Sequence, residues 1–403
     1  MPYLVNPGGR VVAVDNPKQF AKLLTKPGFR KATKEESEAL IADRIARINK
    51  MKLAQENEGM GDVYLATVSP GGTDGYSMVS KKIVQELRNL GIDVRRTFGK
   101  QKIGLLLHNP YSVLRMENPI RIIYTMFESD KIPDDWKDYL EAADIVIVPS
   151  RWCKQVFENT AEIDCKVIPL GYDHKVFTYE ERDLKRETKQ TFNFLHYNAY
   201  NLRKGFLEVV KAFTEEFQPD EPVKLILKTT LKQPPIPFPP SQYPNVEVIT
   251  EKYSEDKMVE LLHKADAFVF PSRGEGFGMT PLEAMATGLP TIVPNAHGIT
   301  EYFNNKYMYE VKVEKECPGI YSRYKGVDVG KMVVCDVKHL RQQMRYIYEH
   351  QDEALERGRA AAKYVQNWTF ENTANQLKKV FEEVSKSPLP ERPLHNVLQL
   401  DQF

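Results

Sequence analysis

Cysteine is scarce, and no sign of charge is in excess. The four cysteines stand at 153, 165, 317 and 335. None forms a Cys-x-x-Cys pair or joins histidines at zinc-finger spacing, which argues against a structural zinc site. They read as reduced, buried or partly buried thiols of a cytosolic protein. Basic residues (56) and acidic residues (55) nearly cancel, for a formal charge of +1. That balance argues against a dedicated nucleic-acid coat and leaves room only for a local patch. No apolar run reaches the ~18 residues of a membrane span, and the start, Met1-Pro2-Tyr3 with Gly8-Gly9-Arg10, lacks a signal-peptide pattern. The expectation is a cytoplasmic protein without an integral span; one amphipathic patch would be enough for peripheral membrane association. No Asp-x-Asp element is placed to hold a divalent metal, and no internal repeat stands out.

What is present suits packed cores. The chain has 403 residues, 42% apolar and 28% charged. That length is too great for one comfortable core and suits two domains. Residues 1–60 read as an N-terminal extension, in which Thr33-x-x-Glu36 can cap a helix through Leu40, Ile41, Ile45 and Ile48. Residues 61–185 read as a first α/β lobe. It opens with an apolar strand from Asp62 to Val68, the turn Ser69-Pro70-Gly71-Gly72-Thr73-Asp74-Gly75, and a helix from Ser77 to Leu90. Continuous apolar runs follow at Ile103–Leu107, Arg121–Thr125 and Ile145–Val148, the pattern of parallel strands buried on both faces. Tyr179 to Gln190, charged and aperiodic, reads as a linker or surface loop.

Residues 186–370 read as a second lobe of the same style. Its strands are expected at Phe192–Leu195, Lys224–Leu227, Val246–Ile249, Ala267–Phe270 and Pro290–Val293. The proline-rich stretch 233–240 can be neither central strand nor regular helix. Residues 371–403 hold a final helix, after a break at Trp368 to Phe370, and a tail. Two such sheets would face each other across a deep cleft, with ligands at the carboxyl ends of the strands.

The densest local signal runs from Phe270 to Pro290. A buried strand ends near Phe270, and Gly274, Gly276 and Gly278 follow in a turn. Thr280-Pro281 then reads as N-cap and first helical residue. Such a terminus presents free N–H groups to an anion, between Glu275 and Glu283. Carboxylates accept hydrogen bonds from paired sugar hydroxyls, so this arrangement suits a sugar-bearing nucleotide. Thr280-x-x-Glu283 is equally a capping box, and Glu275 is equally an exposed turn residue.

The segment resembles the signature of the retaining nucleotide-sugar glycosyltransferases with two Rossmann-like lobes, the GT-B fold, and is similar to family 4: two glutamates, Glu275 and Glu283, separated by seven residues around Gly-Phe-Gly. The resemblance covers roughly residues 62–385. It implies that the peptides of Phe277 to Met279, with Gly276, Gly278 and Thr280, meet the donor's sugar and diphosphate. It further implies that Glu275 meets donor-sugar hydroxyls and Glu283 the ribose. Gly71 and Gly72 resemble the first-lobe loop that approaches the diphosphate. Arg203 and Lys204, in Asn198 to Gly205, resemble the pair that holds it. His108 resembles a first-lobe histidine on the donor sugar, its other reading being a satisfied core or surface histidine, and Glu128 resembles an acceptor-side residue, its other reading being an ordinary salt bridge. The region Cys317 to Cys335 departs from the family pattern and reads as an insertion shaping access for the acceptor.

The implied reaction moves a sugar from a nucleoside diphosphate to an acceptor hydroxyl, with retention and without metal or cofactor. The nucleotide sugar, a UDP-, GDP- or ADP-sugar, is a substrate. The acceptor stays open among glycan, lipid-linked glycan, protein, small molecule and modified DNA. A glycogen- or sugar-phosphate-related transferase of the same fold, or a two-lobed binding module without catalysis, are the other readings.

Overall fold

The computed structural model describes residues 3–9, 11–13, 17–40, 42–43, 63–66, 75–95, 101–181, 191–199, 201–229, 242–319, 321, 324 and 326–387. Five of the expectations above lie wholly or partly outside these residues: the later turns of the extension's helix with Ile41, Ile45 and Ile48, the glycine loop with Gly71 and Gly72, most of the 179–190 linker, the proline-rich stretch and the end of the tail.

The extension contains a small antiparallel sheet of β1 (Tyr3–Val5), β2 (Val11–Ala13) and β3 (Arg30–Lys31), with α1 (Pro17–Leu24) and the helical residues 34–40, α2. The capping box forms. Thr33 N donates to Glu36 Oε2 at 2.9 Å and Glu36 N to Thr33 Oγ1 at 3.2 Å. Two orphan N–H groups of the helix end are thereby satisfied.

The first lobe carries β4 (Val63–Ala66), α3 (Gly75–Asn89), β5 (Val94–Arg95), β6 (Ile103–Leu107), β7 (Ile120–Tyr124), α4 (Trp136–Glu141), β8 (Ile145–Val148), α5 (Arg151–Ala161) and β9 (Cys165–Val167). Its sheet is parallel, in the order β5-β4-β6-β7-β8-β9. Every residue of β6 and β7 is buried, because helices cover both faces.

The second lobe carries β10 (Phe192–Tyr197), α6 (Phe206–Glu216), β11 (Val223–Lys228), β12 (Val246–Ile249), α7 (Glu255–Lys264), β13 (Ala267–Val269), α8 (Met279–Ala286), β14 (Thr291–Pro294) and β15 (Tyr309–Val311). Its parallel order, β12-β11-β10-β13-β14-β15, is the doubly wound 3-2-1-4-5-6 arrangement. Both lobes are thus Rossmann-like, and the fold is GT-B.

An antiparallel ribbon, β16 (Val313–Pro318) with β17 (Lys331–Cys335), leaves the second lobe. It reaches the first: Ser129 Oγ donates to Val329 O at 2.5 Å, and Lys131 Nζ lies 3.0 Å from Asp328. Val329 is buried in the first-lobe core with Trp136 and Phe157. The region from Cys317 to Cys335 is therefore an interlobe strap.

Helices α9 (Val337–Glu349), α10 (Gln351–Tyr364) and α11 (Phe370–Lys386) complete the fold. The chain crosses back at the break before α11. Tyr172 N donates to Trp368 O and Phe370 N to Tyr172 O, both at 3.1 Å. Thr373 Oγ1 then donates to Pro169 O at 2.8 Å. Leu377, Val380 and Phe381 join one apolar core with Ile83 and Leu87 of α3 and Phe268 of β13. Burial of a side chain such as Phe381 contributes roughly 1.5–3 kcal/mol. All four cysteines are free thiols, and only Cys317 is not fully buried. Among the described residues no helix is long and apolar enough to cross a membrane.

Candidate active site

In the second sheet the strand order reverses between β10 and β13, which leaves a crevice outside their carboxyl ends. The loop after β10 carries Arg203 and Lys204 in a short 3-10 turn, Leu202–Lys204. Asn201 caps it by accepting Arg203 N at 3.0 Å, and Gly205 closes it at φ 75°. The loop after β13 carries Ser272 to Gly278. The two loops are stitched together: Arg273 N donates to Arg203 O at 2.7 Å.

Four charges meet there. Lys204 Nζ donates to Glu275 Oε1 at 2.6 Å, Ser272 Oγ donates to the same oxygen at 2.6 Å, and Arg203 lies 3.1 Å from it. The other face of the Arg203 guanidinium meets Glu128 of the first lobe at 3.2 Å. Glu275 is 6% exposed, so it is not the open turn residue that its glycine neighbours allow. Burial pushes its carboxyl up, but Lys204 and Arg203 outweigh burial and hold it below the ordinary value. Burial likewise opposes the charge of Arg203, and the carboxylates of Glu128 and Glu275 more than restore it. For Lys204 burial wins, and its pKa falls. Glu128 therefore does make the salt bridge, and makes it to the residue that reaches the site.

The glycine turn is packed against the first lobe. A Cβ on Gly274 would stand 2.1 Å from Glu128 O, and one on Gly276 would stand 2.8 Å from Met126 Cβ. The Gly276 carbonyl accepts Ser150 Oγ at 2.8 Å. Phe277 is buried edge-on to Tyr302, whose hydroxyl donates to Gly278 O at 2.6 Å. The helix start differs from the expectation. Gly278, at φ 85°, is the N-cap of α8, with no side-chain cap bond. Met279 and Thr280 are the first two helical residues. A glycine takes this left-handed turn without a Cβ clash, which moves the start ahead of Thr280. No N-cap side chain satisfies the N–H groups of this helix end.

The Thr280–Glu283 capping box consequently does not form. Glu283 accepts the hydroxyl of Tyr197, the last residue of β10. It lines a pocket of about 200 Å³ with Met279, Lys82 of α3, Asp173, Tyr253 and Glu255. Burial pushes its carboxyl up to about 6. Lys82 crosses the mouth, 2.7 Å from Asp173 and 2.8 Å from Glu255.

His108 follows β6 on the first-lobe side. Its ring packs 4.8 Å from Tyr76, and the Tyr76 hydroxyl donates to Met126 O at 3.3 Å. It thus lies beside the Tyr76 that bonds Met126, whose side chain stands against Gly276. The structure brings together Arg203, Lys204, Glu275 and Glu128, sets Glu283 in a neighbouring pocket, and sets His108 against Tyr76 in the first lobe. The sequence reading did not single out Tyr197 or Lys82; their partners are far away in the chain, and no local spacing marks them. Among the described residues, no group of three or more His, Cys, Asp or Glu side chains could hold a metal ion.

The fold and crevice define a two-lobed protein of the GT-B class. Residues 242–314 match the family Glycosyl transferases group 1. A candidate glycosyltransferase, ORF313 of Acidianus filamentous virus 1 (isolate United States/Yellowstone), is 27% identical over 60% of this chain and 72% of the viral protein. Among solved structures, sucrose-phosphate synthase from Thermosynechococcus elongatus superposes with a TM-score of 0.62 at 14% identity, over 80% of this chain and 99% of the other. Anabaena HepE in complex with UDP-glucose gives 0.58 at 14% identity, over 80% and 99%. The structural likeness shows the GT-B fold. With the family match and the viral relative, it supports membership of the nucleotide-sugar glycosyltransferase superfamily and sugar transfer in general.

Proposed function

We propose that the protein is a retaining glycosyltransferase that takes a nucleoside-diphosphate sugar at the Arg203–Lys204–Glu275 cluster and transfers the sugar to an acceptor hydroxyl. The observation that carries this reading is the convergence of Arg203 and Lys204 on one carboxylate beside the uncapped start of α8. A diphosphate bound there meets two cations and free N–H groups, all preorganised. Glu275, held ionised, accepts sugar hydroxyls, and Glu283, turned into the pocket with Tyr253, accepts those of the ribose.

In the reaction the bond from the anomeric carbon to the phosphate oxygen breaks, and a bond to the acceptor oxygen forms on the same face. The departing diphosphate takes the acceptor's proton. Arg203 and Lys204 meet the charge that develops on the leaving group. Exclusion of water by the packed lobes limits donor hydrolysis. Glu128 meets Arg203 from the first lobe, and the acceptor is proposed to enter from that side, toward which His108 lies beside Tyr76. The acceptor class stays as broad as the sequence left it: glycan, lipid-linked glycan, protein, small molecule or modified DNA.

UDP-, GDP- and ADP-glucose are the donors to test, UDP-glucose first. Release of the nucleoside diphosphate, with and without a mixture of candidate acceptors, reads turnover. The expected result is release that Glu275→Gln suppresses while donor binding persists. Binding without any release would reassign the chain to a sugar-nucleotide binding module, and no binding of any donor would end the reading.

A further inference from the structure

Among the described residues only two that are not glycine have positive φ: Glu162 and His297. Glu162 has an ordinary reason, since it is the left-handed C-cap of α5. His297 has no such reason. It opens the 3-10 turn His297–Glu301 after β14, at φ 54°, a conformation disfavoured for a residue with a Cβ.

The chain on its C-terminal side explains how it is held. Gly298 N donates to Glu275 O at 2.8 Å, and a Cβ on Gly298 would stand 2.1 Å from Gly276 O. The turn that carries His297 is therefore pinned to the turn that carries Glu275. Its ring meets Trp152 of the first lobe edge-on, 4.8 Å between centroids at 89°. It stands at the seam between the lobes, half-buried; Thr300 Oγ1 donates to its carbonyl at 2.6 Å, and no described residue hydrogen-bonds to its ring nitrogens. Burial pushes its pKa down to about 4, against the pull of Glu275 and Asp130, so the ring is neutral near neutral pH. A neutral imidazole offers one donor and one acceptor nitrogen. Such a pair matches a sugar hydroxyl, which also donates and accepts. A phosphate oxygen, which only accepts, would use just one of the two nitrogens.

We propose that His297 is a sugar-recognition residue, whose ring nitrogens bind a hydroxyl of the sugar carried by the donor, with Trp152 fixing the ring's orientation. The proposal rests on the donor reading above and goes beyond it, because backbone strain at a site residue is retained where the side chain is needed there.

The test uses the full chain and the variants His297→Gly and His297→Asn. Affinities are measured by calorimetry for each donor sugar of the screen and for its free nucleoside diphosphate. Glycine relaxes the positive φ, so His297→Gly is expected to melt no lower than the parent. It should keep its affinity for the free diphosphate within about twofold and lose roughly three- to tenfold for the sugar nucleotide, the worth of one hydrogen bond. Asparagine, which tolerates this backbone and keeps a donor and an acceptor, should restore part of the loss. Sugar-nucleotide affinity within twofold of the parent in His297→Gly overturns the proposal. So does an equal loss for sugar nucleotide and free diphosphate. Loss of transfer with donor affinity intact moves the contact to the acceptor and overturns the donor assignment. If His297→Gly fails to fold, the strain argument is wrong. If the parent binds neither ligand, the donor reading itself has failed.

Discussion

Glu128 of the first lobe and Arg203 of the second stand 3.2 Å apart, and on its other side Arg203 meets Glu275. The guanidinium that would hold a donor diphosphate is already shared between two carboxylates from different lobes. Anything that binds Arg203 must compete with Glu128. Glu128→Gln should therefore tighten nucleoside-diphosphate binding several-fold, while it weakens the interlobe contact by about 1 kcal/mol, because the pair is partly solvated. Calorimetry and urea unfolding read the two effects. Arg203→Ala should do the opposite to affinity, with a loss of at least tenfold.

Glu275→Gln keeps the shape of the side chain and removes its charge. Turnover should fall about 10²–10³-fold, the scale seen when one preorganised electrostatic contact is lost. Stability should also fall, by roughly 3–5 kcal/mol, since Lys204 and Arg203 lose a buried counter-charge. Glu275→Ala should cost more stability, so the glutamine variant is the cleaner probe. Single-turnover donor cleavage with parallel denaturant melts separates the two losses.

The pH response follows from Glu283. Its carboxyl rises from 4.5 to about 6 in the folded protein. The fold then binds this proton more tightly than the unfolded chain does. Its contribution to stability is full below about 4.5 and lost as pH rises through about 6. Ligand binding runs the other way, because the ionised carboxylate accepts ribose hydroxyls. UDP-glucose, whose diphosphate does not titrate in this range, should bind about tenfold more weakly near pH 5 than near pH 7. Glu283→Gln should flatten that profile. An unchanged slope in the glutamine variant would remove Glu283 from nucleotide binding. Glu275, held below its ordinary value, adds nothing in this window.

Gly276→Ala tests the close approach of the lobes. Its Cβ would press on Met126 Cβ at 2.8 Å, and neither is the free end of a flexible chain. The turn must then back away from Ser150 and Met126. A stability loss of about 1–3 kcal/mol is expected, with turnover reduced more than donor affinity. Thermal melts and donor titrations on the same preparation give both numbers.

Several elements were legible because their signal is local. Ile103–Leu107 and Ile145–Val148 form as strands at the expected residues, since continuous apolar runs have one use in a sheet covered on both faces. The Thr33–Glu36 capping box could be read because its partners are three residues apart. The same pattern misled at Thr280–Glu283. There Gly278, able to take φ 85°, starts the helix early, and Tyr197, 86 residues away, claims the carboxylate. Glu128 carried two local readings that only its partner, 75 residues on, could decide.

By itself the sequence determined two α/β lobes, the Rossmann-like style of their strands and the glycine turn with its two glutamates. These rest on periodicity, chain-local capping and residue types that tolerate special backbone. Tertiary structure alone decided which charges meet. It set Arg203 between Glu128 and Glu275, turned Glu283 away from Thr280 into the pocket beside Lys82, bound the 313–335 ribbon to the first lobe as a strap, and trapped His297 at positive φ against Trp152. Each of these contacts joins residues far apart in the chain, and their pairing follows from the packing of whole lobes rather than from any spacing along it.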